Sequence, residues 1–186
     1  MANKTWDERY EQVSDLPKEP VSFLKEHIYR LPRGKALDLA MGIGRNAIFL
    51  ATYGYEVDGI DISEVAVEKV RSLAQKKSLL IHARKADLTN YQISENTYDV
   101  ILNFYFLERP LIPQIKKGLK QGGMILFETY TIEQPHYGRP HNPAYLLKPN
   151  ELLHSFGDLH IIYYHERVDA QKEETKAIAS LLAQKQ

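Results

Sequence analysis

The sequence contains no cysteine among its 186 residues. This absence excludes disulfide bonds, thiolate metal sites and cysteine nucleophiles. It also excludes radical chemistry on an iron–sulfur cluster, because such clusters are held by cysteine thiolates. Any catalytic or binding group must therefore come from other side chains or from the backbone.

Excess charge and long apolar runs are lacking as well. Lys and Arg number 24 and so do Asp and Glu, which gives no electrostatic reason to expect nucleic acid or an anionic membrane as a partner. No stretch is long and apolar enough to cross a membrane, and the polar residues 1–10 lack the apolar run of a signal peptide. We expect a cytoplasmic protein with neither nucleic-acid nor membrane partners.

The length and an apolar fraction of 44% fit a single domain over residues 1–186. From residue 35 onward, apolar strands alternate with helical patterns, which predicts a parallel sheet covered by helices on both faces. The link from Asp87 to Tyr98 is too short for a good helix and is predicted to be a loop. The predicted strands are Lys35–Leu39, Glu56–Ile60, Leu79–Ala86, Tyr98–Phe104 and Met124–Phe127, and the helices between them are Arg45–Tyr53, Ser63–Leu73 and Pro110–Leu119.

The two ends of the chain differ from this alternation. Residues 1–31 predict amphipathic helices that Pro17 and Pro20 interrupt, with Pro20 as the first residue of the second helix. After a long loop over 131–148, a helix is predicted at 150–156. The β-like runs 159–166 and 175–183 then follow with only a turn between them, so they should pair antiparallel, although the second also fits a helix.

A glycine turn, Asp38-Leu39-Ala40-Met41-Gly42-Ile43-Gly44, joins the first strand to the helix that starts at Arg45 and Asn46. Glycine lets the backbone approach a ligand closely, and a helix N-terminus offers free N–H groups. The run from Gly42 to Ala47 also fits the GxGxxA form of a dinucleotide site, or a tight turn with no ligand. The turn alone therefore does not identify a cofactor.

Acidic residues end three successive strands at the predicted carboxyl edge, where ligands bind in such sheets. Asp38 would repel a pyrophosphate but suits the ammonium in the methionine half of S-adenosylmethionine (SAM). Asp61, followed by Ile62, suits the ribose hydroxyls, and Asp87-Leu88 suits the adenine. Each acid alone fits a helix cap or turn former, but the three together indicate a SAM site.

These motifs resemble the class I SAM-dependent methyltransferases, and within them the TehB-like (tellurite-resistance) branch. The resemblance is carried by Ala36–Asn46, by Val57–Ser63 and by Trp6-Asp7-Glu8-Arg9-Tyr10. It implies a Rossmann-like seven-stranded sheet of order 3-2-1-4-5-7-6 with strand 7 antiparallel. It also implies an N-terminal lid (1–31) that includes Tyr10, a SAM-binding core (32–130) and a substrate-side loop with a C-terminal hairpin (131–186). Ala40 departs from the family, which has a glycine there; alanine costs little if its φ is negative.

The acceptor side is predicted after strands four and five. Asn103-Phe104-Tyr105-Phe106 lacks the prolines of the Asp/Asn-Pro-Pro-Tyr motif, which argues against methylation of nucleic-acid bases. The backbone carbonyl of Asn103 is predicted to accept a hydrogen bond from the SAM ammonium. The neighbouring aromatic rings either stabilise the sulfonium cation or belong to the core. Glu128 and Tyr130 follow strand five. The predicted cofactor contacts are Tyr10, Asp38, Ala40, Gly42, Gly44, Arg45, Asn46, Asp61, Ile62, Asp87, Leu88, Asn103, Phe104 and Tyr105.

The candidates for catalysis are Tyr130, His136, Arg139 and His141. His136 or His141 could act as a base, and Arg139 could bind an anionic acceptor. The alternative is that the loop is a solvated surface loop with no role in catalysis. We expect no metal site. The predicted function is methyl transfer from SAM, with S-adenosylhomocysteine (SAH) as product, to a small-molecule or metalloid acceptor by a monomer or homodimer. The alternatives are an NAD-type oxidoreductase and a non-catalytic SAM-binding module.

Overall fold

The computed structural model describes residues 2–13, 19–170 and 175–186. Pro17 and residues 171–174, where the sequence predicts the turn between the last two strands, lie outside the described residues. Seven strands form one sheet in the order β3-β2-β1-β4-β5-β7-β6, in which β7 runs antiparallel to β5 and β6. This confirms the predicted fold and the prediction of a strand at the C-terminus. The strands are β1 Lys35–Leu39, β2 Glu56–Asp61, β3 Ile81–Lys85, β4 Tyr98–Phe104, β5 Leu119–Tyr130, β6 His160–Ala170 and β7 Thr175–Gln184.

Helices cover both faces of the sheet, each with its own apolar core. One core packs Leu24, Leu50 and Val67 against the sheet, and the other packs Ile115 and Phe156. No helix among the described residues is long and apolar enough to cross a membrane. The helices are α1 Ala2–Glu11, α2 Ser22–His27, α3 Arg45–Thr52, α4 Glu64–Lys77, α5 Leu111–Gly118 and α6 Glu151–Ser155, with short 3₁₀ turns at Ile28–Arg30, Gln134–His136 and Pro143–Tyr145.

The start of α2 differs from the prediction that Pro20 is its first residue. The helix begins at Ser22, and Val21 is its N-cap residue. The backbone N–H of Val21 donates to Asn46 Oδ1 at 3.0 Å, while the Val21 carbonyl accepts from Leu24 at 3.0 Å. Because this bond to Asn46 fixes Val21 at the boundary, Pro20 lies before the helix.

Strand β5 is much longer than the predicted Met124–Phe127. Leu119, which the sequence placed in the preceding helix, pairs with Tyr98 and begins the strand. At the other end the strand continues to Tyr130, which pairs with Ile178 of β7. The antiparallel partner is itself ten residues long, so it extends β5 past the end of β4. This extension carries Glu128 and Tyr130 to the carboxyl edge of the sheet.

The crossover from β3 to β4 contains no helix over 86–97, as predicted. Beside the apolar side chains of the core on this face, the amino-terminal ends of β1 and β2 carry a charged network. The buried Asp58 accepts a hydrogen bond of 3.0 Å from the Tyr98 hydroxyl, and Lys35 Nζ lies 3.2 Å from the same carboxylate oxygen. Glu56, Asp58 and His82 offer ligand atoms close enough to share a metal ion, but Lys35 Nζ also lies 3.1 Å from Glu56 Oε1. The ammonium thus already compensates the two carboxylates.

Candidate cofactor and acceptor site

The glycine turn follows β1 at the carboxyl edge of the sheet, as predicted. Gly42 and Gly44 have φ values of +55° and +78°, in the left-handed region that favours glycine. Gly44 is the N-cap residue of α3, and its N–H donates to the Met41 carbonyl at 3.0 Å. The turn therefore ends directly at a helix N-terminus with free N–H groups.

Ala40 lies at φ +53°, so the condition under which alanine would cost little is not met. The left-handed region brings Cβ close to the following carbonyl oxygen and costs about 1–2 kcal/mol for an L-residue. The turn therefore keeps the backbone shape of a glycine turn although its first glycine position holds alanine.

Asp38 is the most strongly perturbed carboxyl group near the turn. Its side chain is 1% exposed, and Oδ2 has no hydrogen-bond partner among the described residues. Burial, with a further contribution from the Asp61 charge, raises the pKa of Asp38 to about 7, although the Ala47 N–H and Arg45 oppose the shift. A buried acceptor without a partner is costly, and a cationic ligand group would satisfy it.

Asp61, at the end of β2, is buried against the same turn. Its Oδ2 accepts the Gly42 N–H at 2.8 Å and its Oδ1 accepts the Ser63 N–H at 2.9 Å. Burial raises the pKa of Asp61, and backbone N–H donors, including that of Ile62, counteract this shift. The half-buried Ile62 lies between Asp61 and the cap of α4. Asp38, Asp61 and the glycine turn thus form one cluster, as predicted.

Tyr10 of α1 lies over the turn. A Cβ atom added to Gly42 would come within 2.8 Å of the Tyr10 hydroxyl, so glycine leaves room for this ring. Burial and the nearby Asp61 charge raise the pKa of Tyr10 to about 12. The structure therefore places Tyr10 beside the predicted cofactor contacts.

Helix α1 is attached to α4 at its middle and at its C-terminal end. Asp7 Oδ1 accepts from the Ser63 hydroxyl, and from the Val65 N–H at 3.4 Å. Lys69 Nζ donates to the carbonyls of Tyr10 and Val13, each at 2.6 Å. These contacts hold α1 against the helix that follows Asp61.

Asp87 is exposed, unlike the other two acids. Its Oδ1 accepts the N–H of Thr89 at 2.9 Å and the Thr89 hydroxyl at 2.8 Å, and these bonds lower the pKa of Asp87. This is the geometry of a turn former. Leu88 is buried beside it. The contact with an adenine stays a prediction.

The first two residues of α3 have different surroundings. Arg45 is half-buried, and its Cζ lies 5.6 Å from the centre of the Tyr105 ring. Asn46 is buried, and its Oδ1 is engaged by the Val21 N–H. Asn46 thus anchors α2, while Arg45 lies between the turn and the end of β4.

The end of β4 lies next to β1, since Leu39 pairs with Asn103. Asn103 is buried, and its side-chain Nδ2 donates to the Phe106 carbonyl at 2.7 Å. The backbone carbonyl of Asn103 lies near the end of β4. Phe104 is buried in the core. Tyr105 follows, and its hydroxyl donates to the buried Glu128 at 2.9 Å.

The four candidates for catalysis are divided by the structure. The Tyr130 ring centre lies 5.3 Å from that of Tyr105, at the end of β5. His136, Arg139 and His141 are exposed, with His136 Nε2 lying 3.6 Å from Glu133 Oε2. Only Tyr130 therefore lies within the buried aromatic and charged groups at the carboxyl edge.

Three residues of the C-terminal hairpin that the sequence did not single out join this cluster. Ser180 Oγ donates to Glu128 Oε2 at 2.6 Å, and Arg167 Nη2 lies 3.3 Å from the same oxygen. Lys176 Nζ lies 5.0 Å from the centre of the Tyr105 ring. The signal for them is the pairing register of β5, β6 and β7, which a single sequence does not give.

Comparisons with known proteins identify the family and agree with this fold. The family model for the tellurite resistance protein TehB matches residues 8–178. A probable S-adenosyl-L-methionine-dependent methyltransferase TehB from Haemophilus influenzae is 31% identical over 143 residues, covering 72% of this chain and 49% of the relative. Hemagglutinin 1 from Eikenella corrodens is 30% identical over 157 residues, covering 79% and 51%. The chain thus spans about half the length of these curated relatives.

A solved structure shows the same fold. The crystal structure of TehB from Haemophilus influenzae superposes with a TM-score of 0.78 at 22% identity, covering 99% of this chain and 67% of that one. The family match over residues 8–178 confirms the resemblance to the TehB branch. The chain therefore belongs to the TehB family.

Proposed function

We propose that the chain binds SAM at the Asp38–Gly44 turn and transfers its methyl group to a small-molecule acceptor. The observation that carries this proposal is Asp38, a buried carboxylate whose Oδ2 has no partner among the described residues. The ammonium of SAM would satisfy this oxygen, whereas the pyrophosphate of a dinucleotide would be repelled by it. Membership of the TehB family also supports SAM over NAD as the cofactor.

The remaining contacts follow from the cluster around the turn. Asp61 would accept hydrogen bonds from the ribose hydroxyls, and Leu88 with Asp87 would meet the adenine. Gly42, Gly44 and Ala40 supply backbone close to the ligand, and Tyr10 would cover it. We also propose the predicted division of the chain into a lid (1–31), a core (32–130) and an acceptor side (131–186).

The chemistry needs little from the protein beyond alignment and exclusion of water. Bound SAM would supply a methyl group already activated by the sulfonium. The chain's own part is to orient the acceptor beside Tyr105 and Tyr130 and to hold the site closed with α1. Lys176 and Arg45, both near the Tyr105 ring, would attract an anionic acceptor. A metalloid oxyanion such as tellurite, which the family description suggests, has this charge.

Calorimetry with SAM, SAH and NAD tests the cofactor. We expect SAM and SAH to bind and NAD not to bind; NAD binding without SAM binding would overturn the proposal. The formation of SAH from SAM in the presence of tellurite tests the acceptor. SAM binding with no turnover on any small acceptor would favour the non-catalytic module.

The remaining predictions concern the oligomeric state, the cellular location, the partners and three catalytic candidates. A monomer or homodimer, a cytoplasmic location and the absence of nucleic-acid partners stay predictions. Catalytic roles for His136, Arg139 and His141 also stay predictions, and Ala substitutions that leave SAH formation unchanged would remove them.

A further inference from the structure

Tyr105 has an unusual backbone conformation for an aromatic residue. Its φ is +56°, in the left-handed region that bulky L-residues rarely adopt. Such residues persist only where their surroundings over-determine them, and they occur preferentially at functional sites. The groups that hold Tyr105 in place therefore bear on the function of this residue.

Glu128 holds Tyr105 at two points. The Tyr105 N–H donates to the Glu128 carbonyl at 2.8 Å, and the Tyr105 hydroxyl donates to Glu128 Oε1 at 2.9 Å. The pairing of Phe104 with Glu128 in the sheet brings the two residues together. One residue of β5 thus fixes both the backbone and the ring of Tyr105.

Glu128 is in turn held by the C-terminal hairpin. Its side chain is 2% exposed, and Oε2 receives Ser180 Oγ at 2.6 Å and Arg167 Nη2 at 3.3 Å. Arg167 Nη1 also donates to Ser180 Oγ at 2.6 Å. A buried carboxylate needs such partners, because an unpaired one would be strongly destabilising.

The ring that this network fixes lies beside the glycine turn. Arg45, the residue after Gly44, has its Cζ 5.6 Å from the Tyr105 ring centre. The Tyr130 ring lies 5.3 Å away on the side of β5. Tyr105 therefore connects the cofactor turn with the residues of the acceptor side.

We infer that Glu128 is a positioning residue for methyl transfer, which holds the Tyr105 ring where it faces the sulfonium and the incoming acceptor. This inference rests on the proposed function. If the network served stability alone, an apolar cluster of similar volume would do as well, and the strained Tyr105 would not be required. The cationic sulfonium of SAM is stabilised by an electron-rich ring, whereas the uncharged thioether of SAH gains little from it.

The test compares two variants with a matched control. Glu128→Gln removes the carboxylate charge, and Tyr105→Phe removes only the hydroxyl. Tyr164→Phe is the control, because the Tyr164 hydroxyl also donates to a glutamate, Glu166, but packs against the core on the other face of the sheet. Tyr164→Phe thus removes a similar hydrogen bond away from Tyr105.

The first measurement is calorimetric affinity for SAM and for SAH. We expect both site variants to lose roughly 3- to 10-fold of their preference for SAM over SAH, because the ring is less well placed for the cation. SAH affinity should stay within about 2-fold of the wild type, since Asp38 and Asp61 are intact. Tyr164→Phe should leave the preference unchanged.

The second measurement is SAH formation with tellurite as acceptor. In the site variants kcat should fall about 10-fold or more with the KM for SAM nearly unchanged. Lower thermal stability with an unchanged SAM preference in both variants would overturn the inference. If Glu128→Gln does not fold, Tyr105→Phe decides alone. A wild type that does not bind SAM would overturn the proposed function, whereas normal SAM binding with unaltered preferences would overturn only the role of Glu128.

Discussion

The backbone N–H of Gly42 donates a hydrogen bond of 2.8 Å to Oδ2 of Asp61, which joins the glycine turn to the end of the second strand. Oδ1 of the same carboxylate is fixed by the Ser63 N–H at 2.9 Å. A carboxylate offers about four acceptor positions, and the N–H groups of Gly42, Ser63 and Ile62 occupy three of them, which leaves one for a ligand hydroxyl. Asp61 is thus oriented by the protein before a ribose binds.

Asp61→Ala is expected to weaken SAM binding about 10- to 100-fold, because charged hydrogen bonds contribute about 1.5–3 kcal/mol each. Calorimetry measures this effect. Asp158→Asn is the control, since that exposed carboxylate pairs with Lys116 and lies before β6, at the edge of the sheet opposite the glycine turn. Unchanged SAM affinity in Asp61→Ala would show that the ribose contact is misplaced.

The stability of the ligand-free protein should depend on pH through Asp38. The pKa of Asp38 is about 7 in the folded chain and 3.8 in an unfolded chain. The folded state therefore binds the proton more tightly. The free energy of unfolding therefore decreases as the pH rises from about 4 to about 7. Asp38→Asn should remove this dependence and raise the free energy of unfolding at pH 8 by roughly 2–4 kcal/mol.

Thermal melts at pH 4.5 and pH 8 check this prediction. The variant should gain stability over the wild type at pH 8 and little at pH 4.5. A variant that is destabilised at pH 8 would contradict the interpretation of Asp38 as a carboxylate kept for a ligand.

The same group should make SAM binding depend on pH. Below about pH 7 the free protein carries a protonated Asp38, which must lose its proton to pair with the SAM ammonium. The affinity should therefore fall up to about tenfold for each pH unit below 7. SAH has the same ammonium and should behave alike. Calorimetry at pH 6 and pH 7.5 measures the slope, and a slope that persists in Asp38→Asn would assign it to another group.

Ala40→Gly should stabilise the protein, because φ +53° costs alanine about 1–2 kcal/mol, which exceeds the roughly 0.5–1 kcal/mol that the greater conformational freedom of glycine costs on folding. Denaturant unfolding should show a gain of up to about 1 kcal/mol. Ala51→Gly, one residue before the end of α3, is the matched control, and it should lose up to about 1 kcal/mol. A loss in both variants would mean that Ala40 is not strained.

The carboxyl-edge acids and the parallel half of the sheet could be predicted because each depends on local sequence. Asp38 and Asp61 follow apolar strands directly, so their positions come from strand ends alone. The partners of Glu128 could not be predicted, because Arg167 and Ser180 reach it only through the antiparallel register of β7. Strand β5 is longer than its predicted range for the same reason. The side-chain engagement of Asn46 depends on α2, whose docking the local pattern does not specify.

Lys69→Met should detach α1 from α4 and thereby test the lid. Lys69 Nζ holds the carbonyls of Tyr10 and Val13, and the aliphatic part of the side chain is largely kept in methionine. If α1 covers the cofactor through Tyr10, SAM affinity should fall roughly 3- to 10-fold, since α1 loses two charged hydrogen bonds but keeps the contacts of Asp7 with Ser63 and Val65. Lys76→Met, at an exposed position in the last turn of the same helix, is the control. Hydrogen exchange over residues 2–13 should become faster in Lys69→Met alone, and SAM should slow it in the wild type. Faster exchange with unchanged SAM affinity would show that α1 is docked on α4 but does not act as a lid.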